Sequence, residues 1–376
     1  MKIKNINNLS SRSLSEGVVS YLNTLENKNK KFDYNPCKEG VTEAGREISL
    51  GFSCYGLKTL YTIDKWDTLS NKVKNEWGEY INSFQKKISK FPDNSYVDNK
   101  YIKHFEKFNI KHTSKDGAKS VLNIIKSNKY RTRKEQLIDS IRAETKQAIV
   151  TLKQVSFQNK FIYDDFPKTS KDLCSLLDSY DWSKPWSAGA QFSSFCVFTK
   201  AQVEENKEYS KSLIEYIDNK VNVEDGFYYE GSQPNFTQLV NGSMKVITGL
   251  DWLGVPIHYP EKLIDVCLSR EPSQSGCDLV DYVYVLYRSS LQTDYKRKEI
   301  VAYLDQILEL IFSHYYEEEG GFSYNIGSSQ KLYYGVEISE GNDQPDIHGT
   351  ILLTWALAMI FQISENDQFN WNVLKP

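Results

Sequence analysis

Asp346 and His348, in "NDQPDIHGT" (342–350), stand two residues apart just ahead of the apolar run "ILLTWALAMI". A carboxylate and an imidazole at the mouth of a helix can bind a metal, pass a proton or close the helix N-terminus. Two readings stay open. Asp346 raises the basicity of His348 and orients it for acid–base work, or Asp346 caps the helix and His348 fills its first turn. The preceding stretch "SSQKLYYGVEISEG" (328–341) adds Gln330, Tyr333, Tyr334 and Glu337. A loop this long between helices suggests ligand binding; tyrosine hydroxyls with a glutamine suit a hydroxylated ligand, while the rings suit a sugar face or a developing cation.

Asp278 and Asp281 lie three apart on one predicted helix, hence on one side of it. Charges in an apolar helix cost free energy unless paired or facing water, so one of the two is expected to point into a polar cavity. Asp251 with Trp252, at the end of "ITGLDWLG", and Glu47 and Glu144 on two further helices are carboxylates and an aromatic that could converge there. The catalytic candidates are His348, Asp346 and Asp281, and the ligand-binding candidates are Gln330, Tyr333, Tyr334, Glu337, Asp278 and Trp252.

The elements that must position these residues are mostly helical, because strand-like alternation is scarce and stretches of helical period recur. Two kinds of helix alternate. One kind is apolar all round with small residues: 44–63, 186–202, 241–254, 277–290 and 348–361, with the more polar 133–155 as a sixth. The other is amphipathic and charged: 71–90, 205–221 and 294–316. Inner helices followed by outer ones predict an all-α (α/α)6 toroid, a barrel of six inner and roughly six outer helices. The loops "EDGFYYEG" (224–231) and "EEGGFSYNIG" (318–327) share an acidic–Gly–Phe–x–Tyr pattern, and each precedes an inner helix, which supports an internal repeat. No long Pro/Ser/Gly linker divides the chain, so one domain over 1–376 is expected, with 1–40 as a polar N-terminal extension.

The formal charge of −3, from 46 basic and 49 acidic side chains, provides no field for nucleic acid or an anionic membrane surface, and neither is expected as a partner. "TILLTWALAMIFQI" is too short to span a bilayer and reads as a buried helix. The six cysteines are scattered without a CxxC pair, and the start of the chain has no apolar signal region. Both features point to a cytoplasmic protein. The 25 Tyr, 18 Phe and 7 Trp, 13% of the chain, are enough to line a broad cavity for a small-molecule substrate or to fill a core.

"GCDLVDYVYVLY" (276–287) and "GGFSY…DIHGTILLTWALAMI" (320–360) resemble the α/α-toroid superfamily that includes the protein prenyltransferase β subunits and the squalene- and terpene-cyclase repeats. The resemblance covers about the last 150 residues, with only helix character shared by the first 180. It implies that Asp281 and His348 match two of the three zinc ligands of the prenyltransferases. The third, a cysteine two positions after the Asp, is Val283 here. Cys277, one turn before Asp281, could substitute. The cyclase motifs DxDD and DDxxD are both missing, and no obvious Lys/Arg cluster offers itself to a diphosphate.

The resemblance implies an enzyme of the terpenoid-cyclase or prenyltransferase type, holding an isoprenoid-like substrate in an aromatic cavity and using acid–base or metal chemistry, with zinc as the cofactor to test. A carbohydrate-active toroid acting on a glycan, as lyase, hydrolase or epimerase, fits the tyrosines and scattered carboxylates as well. A non-catalytic toroid scaffold that has lost its chemistry is the third reading.

Overall fold

The structure, a computed structural model, describes residues 11–107, 131–201, 207–271, 274–366 and 369–376. Fourteen α-helices, a 3-10 turn at Trp66–Thr68 and three two-stranded hairpins make up the regular structure among these residues, so the fold is all-α in class.

Six helices carry the core. They are α3 (Leu50–Thr62), α6 (Arg133–Gln154), α8 (Pro185–Lys200), α10 (Phe236–Leu253), α12 (Gly276–Ser290) and α14 (Ile347–Ile363). Each packs on the next in chain order, and α14 packs back on α3, so the succession of neighbours returns to its start. These helices are buried around most of their circumference: in α14 every residue from Ile351 to Phe361 except Leu352 is buried. Such helices form because apolar side chains on all sides can be covered by neighbours rather than by water. Small residues let them approach closely. A Cβ on Gly189 of α8 would lie 2.8 Å from the Gly242 carbonyl oxygen of α10, too near for any side chain.

The remaining helices are shorter or amphipathic and pack on these six. Thus α4 (Asn71–Asn82) lies on α3 and α6, while α7 (Ser170–Asp178) and α9 (Lys207–Asp218) lie on α8. On the other side, α11 (Pro260–Leu268) and α13 (Arg297–Phe312) cover α12, and α13 also reaches α14. In α13 the buried residues Ile300, Leu304, Ile307 and Ile311 recur at helical spacing and leave the charged residues outward.

The sequence reading is corrected at several boundaries. The stretch 44–63 is broken into α2 (Glu43–Glu47) and α3, with Ser49 and Leu50 donating their N–H groups to the Asp98 carboxylate, 2.8 and 3.2 Å away. The charged stretch 71–90 ends as a helix at Asn82 and continues into β1 (Gln85–Lys86), which pairs with β2 (Ser95–Tyr96). Within the expected polar extension 1–40, of which 1–10 lie outside the described residues, Ser11–Leu25 form α1. Its Leu14, Val18, Tyr21, Leu22 and Leu25 are in the core, packed toward α14 and the strand β4 (Gly321–Phe322). Apolar spacing of four and three, hidden among polar residues, makes that helix amphipathic.

Residues 369–376 cross the C-terminal ends of four of the six core helices. Asn372 donates to the Thr62 carbonyl of α3 at 2.8 Å, and Lys375 N–H to Gln154 Oε1 of α6 at 3.0 Å. Trp252 of α10 donates from Nε1 to the Pro376 carbonyl at 2.8 Å, and Gln362 of α14 donates to the Trp371 carbonyl at 3.5 Å. No described helix is long and apolar enough to cross a membrane.

Candidate functional site

Asp346 is the N-cap of α14. Its Oδ1 accepts from Gly349 N–H at 2.8 Å, and its Oδ2 accepts from the N–H groups of Tyr324 and Gln330 at 2.6 and 3.1 Å. The carboxylate therefore ties the helix start to the loop that follows β4 and to the loop before β5 (Leu332–Tyr333). Burial pushes its pKa up, to about 7, against the backbone N–H groups that favour the anion. Gly349 is needed here because a Cβ would meet the Ser323–Tyr324 backbone at 2.4 Å.

No hydrogen bond joins the Asp346 carboxylate to the His348 imidazole, so of the two open readings the geometry has the cap and not the carboxylate–imidazole pair. The imidazole is half-buried and flanked by aromatic rings instead: Tyr55 of α3 stacks on it at 4.5 Å and Tyr324 at 5.2 Å. Its Nδ1 is buried without a hydrogen-bond partner. Burial, reinforced by the charges of Lys245 and Lys58, lowers its pKa to about 3.

Asp281 lies in the same electrostatic neighbourhood, one turn along α12 from Cys277. It is 1% exposed, its Oδ1 lies 3.8 Å from Lys245 Nζ, and its Oδ2 has no hydrogen-bond partner. Burial raises its pKa to about 6, Lys245 opposing and Asp278 adding to the rise. A carboxyl that titrates close to neutrality and keeps one oxygen open is suited to give or take a proton. Asp278 accepts from Asn241 Nδ2 at 2.7 Å.

Three lysines that the sequence reading passed over complete the cluster. Lys58 (α3), Lys146 (α6) and Lys245 (α10) are each half-buried, and they repel one another. Burial first, then that repulsion, lowers Lys58 to about 8 and Lys146 to about 7. Lys146 Nζ also donates to Ser193 Oγ of α8 at 2.9 Å. With Ser193, Asp281 and His348, all six core helices contribute a polar side chain to one interacting group.

The other candidates are distributed around this group. The β5–β6 hairpin (Leu332–Tyr333 with Val336–Glu337) turns through Tyr334 and Gly335, both with positive φ, at 43° and 82°. It lays the buried Tyr333 against Phe52 and Tyr55, at ring distances of 5.3 and 6.3 Å, and the Tyr333 hydroxyl donates to Glu144. Burial and the charge of Asp98 push the Glu144 carboxyl well up. Tyr334 is exposed at 37%, Glu337 is exposed, and Gln330 is half-buried. Trp252 lies at the far end, bonded to Pro376 and with Lys375 Nζ 4.7 Å over its ring, while Asp251 pairs with Arg288 at 2.9 Å. Glu47 is on α2 in a surface ion network with Lys100, Lys103 and His104, which holds its pKa down to about 2.

The zinc implied by the resemblance does not fit these residues. Val283 is fully buried in the core, and Cys277, Asp281 and His348 do not bring their ligand atoms within 4.8 Å of one another. Lys245 beside Asp281 adds a cation where a dication would have to sit. Among the described residues, only Glu43, Glu47 and His104 meet that spacing, and the lysines around Glu47 already supply its positive partners.

Compared with known proteins, the chain matches no family model, no curated protein and no solved structure.

Proposed function

We propose that the six core helices are the inner wall of an (α/α)6 toroid, and that the chain is an enzyme resembling the terpenoid cyclases and prenyltransferases. On this reading a small isoprenoid-like substrate lies among Tyr55, Tyr324, His348 and Asp281, and Asp281 transfers a proton. The observation that carries it is the buried Asp281 carboxyl, with one oxygen near Lys245 and the other without a partner. A fold does not keep an open, desolvated carboxyl for stability, because an unsatisfied buried polar group costs about 1–3 kcal/mol. The electron-rich faces of Tyr55 and Tyr324 suit positive charge developing on an isoprenoid carbon. The six cysteines are unpaired, as suits a reducing cytoplasm.

A glycan-directed toroid is the second reading. Tyr284, one turn beyond Asp281 on α12, and Trp355, two turns beyond His348 on α14, stand 5.4 Å apart with the phenol oxygen and the indole N–H both buried and unpartnered. These are hydrogen-bond groups for a hydroxylated ligand.

Turnover of a panel of prenyl diphosphates and activated sugars by wild type and Asp281→Asn decides between them. Conversion of a prenyl diphosphate that falls by about 10²-fold or more in the variant supports the first reading. An activity indifferent to the change removes Asp281 from the mechanism.

A further inference from the structure

We propose that Lys58, Lys146 and Lys245, together with the Ser193 hydroxyl, form a binding site for a phosphate or diphosphate group, resting on the reading above that the substrate lies among the core helices.

Four helices that are far apart in sequence place these groups together. Lys146 Nζ is anchored on Ser193 Oγ at 2.9 Å, Lys245 Nζ lies 3.8 Å from Asp281 Oδ1, Lys146 feels the charge of both Lys245 and Lys58, and Lys58 feels that of Lys245. Lysines in a surface coat spread away from one another into water. These three occupy half-buried positions, Lys58 and Lys245 on helices otherwise covered by apolar neighbours and Lys146 on the more polar α6.

The groups facing them do not balance the charge. From α3 comes Cys54, from α8 Cys196, and from α14 His348, whose pKa is lowered to about 3. The carboxyls on α12 are Asp281, itself raised to about 6, and Asp278, which accepts from Asn241. Three ammonium groups thus face at most two carboxylates. Uncompensated charge away from bulk water is costly, and a polyanion supplies the missing counter-charge. Ammonium groups on flexible stems grip a tetrahedral phosphate as point charges, and a hydroxyl such as Ser193 adds a donor.

This arrangement has a consequence that a surface lysine patch lacks. Burial and mutual repulsion lower Lys58 to about 8 and Lys146 to about 7, so an anion that restores their full charge is accompanied by protons, taken from solution or passed over from the anion's own acidic hydroxyl.

Isothermal titration calorimetry of the full chain with inorganic pyrophosphate at about pH 8 reads the binding directly. The expected result is saturable 1:1 binding, weakened about tenfold or more in Lys58→Met and in Lys146→Met. Absence of saturable binding overturns the proposal on wild-type protein alone, whatever the folding of the variants, and binding undiminished in both folded variants overturns it as well. Tighter binding of glucuronate than of pyrophosphate overturns it in favour of a carboxylate site. Pyrophosphate binding is read on wild type without turnover, so a failed catalytic reading, seen as Asp281→Asn turnover equal to wild type, and a failed phosphate site, seen as no saturable binding, give different results.

Discussion

The Tyr55 ring lies flat on the His348 imidazole, 4.5 Å between centroids and 5° between planes, and so joins the first core helix to the last beside Lys58. The contact buries the imidazole next to two lysines, and both effects disfavour its charged form. His348 is therefore held neutral across the physiological range.

An NMR titration of the imidazole resonances tests this. The His348 signals should stay those of the neutral ring from pH 8 to about pH 5. A midpoint near the ordinary histidine value would show that the ring is solvated and remote from the lysines.

Asp346 should matter for stability more than for chemistry. Asp346→Ala removes the acceptor of three N–H groups that hold the start of α14 and the two loops packed on it. A loss of about 2–4 kcal/mol in denaturant unfolding is expected, larger than an exposed cap gives. A loss under about 0.5 kcal/mol would mean that water replaces the carboxylate freely.

Asp281 should leave its mark on the pH dependence of stability. Its pKa is raised by folding from 3.8 to about 6, so the folded state binds the proton more tightly than the unfolded state. Its contribution is present below about pH 4 and is lost as pH rises through about 6, on the order of 2–3 kcal/mol. Asp281→Asn removes that loss, so the variant should gain on wild type between pH 4 and pH 6 in thermal unfolding curves. Parallel curves across that window would contradict burial of an ionisable Asp281.

The lysines act in the opposite sense. Folding lowers Lys146 from 10.5 to about 7, so its contribution is present above the unfolded value and is lost as pH falls through about 7. Lys146→Met is expected to raise the melting temperature near pH 7 by several degrees and much less near pH 10. An unchanged or lower melting temperature at both pH values would show that the ammonium is not desolvated.

Much of the architecture was legible in the chain because apolar helices and charged helices differ in composition as well as in period. The alternation located all six core helices, with ends within about two residues apart from the start of α3, at Leu50 rather than 44, and that of α10, at Phe236 rather than 241. The break between α2 and α3 was not visible, because it depends on Asp98, about fifty positions away, taking the N–H groups of Ser49 and Leu50. Asp281 and His348 were legible because a charged or titratable residue in an apolar helix has to be explained. The same signal stands in "LGFSCYGLKTLYT" and "FTQLVNGSMKVITGLDWL", where Lys58 and Lys245 are lone charges or nearly so. A lysine is easily assigned to the surface because its long stem can carry the ammonium out to water. Lys146 was hidden further by its polar helix. Which of these residues meet is a property of helix rotation and closure, and no spacing along the chain encodes it.

The central claim is that Lys58, Lys146, Lys245, Asp281 and His348 face one ligand. A crystal structure of the protein soaked with pyrophosphate tests it most directly. The account predicts a bound anion within about 4 Å of at least two of the three ammonium groups, with the Tyr55–His348 stack intact beside it. An anion bound elsewhere, or lysine side chains directed outward to separate surfaces, would contradict it.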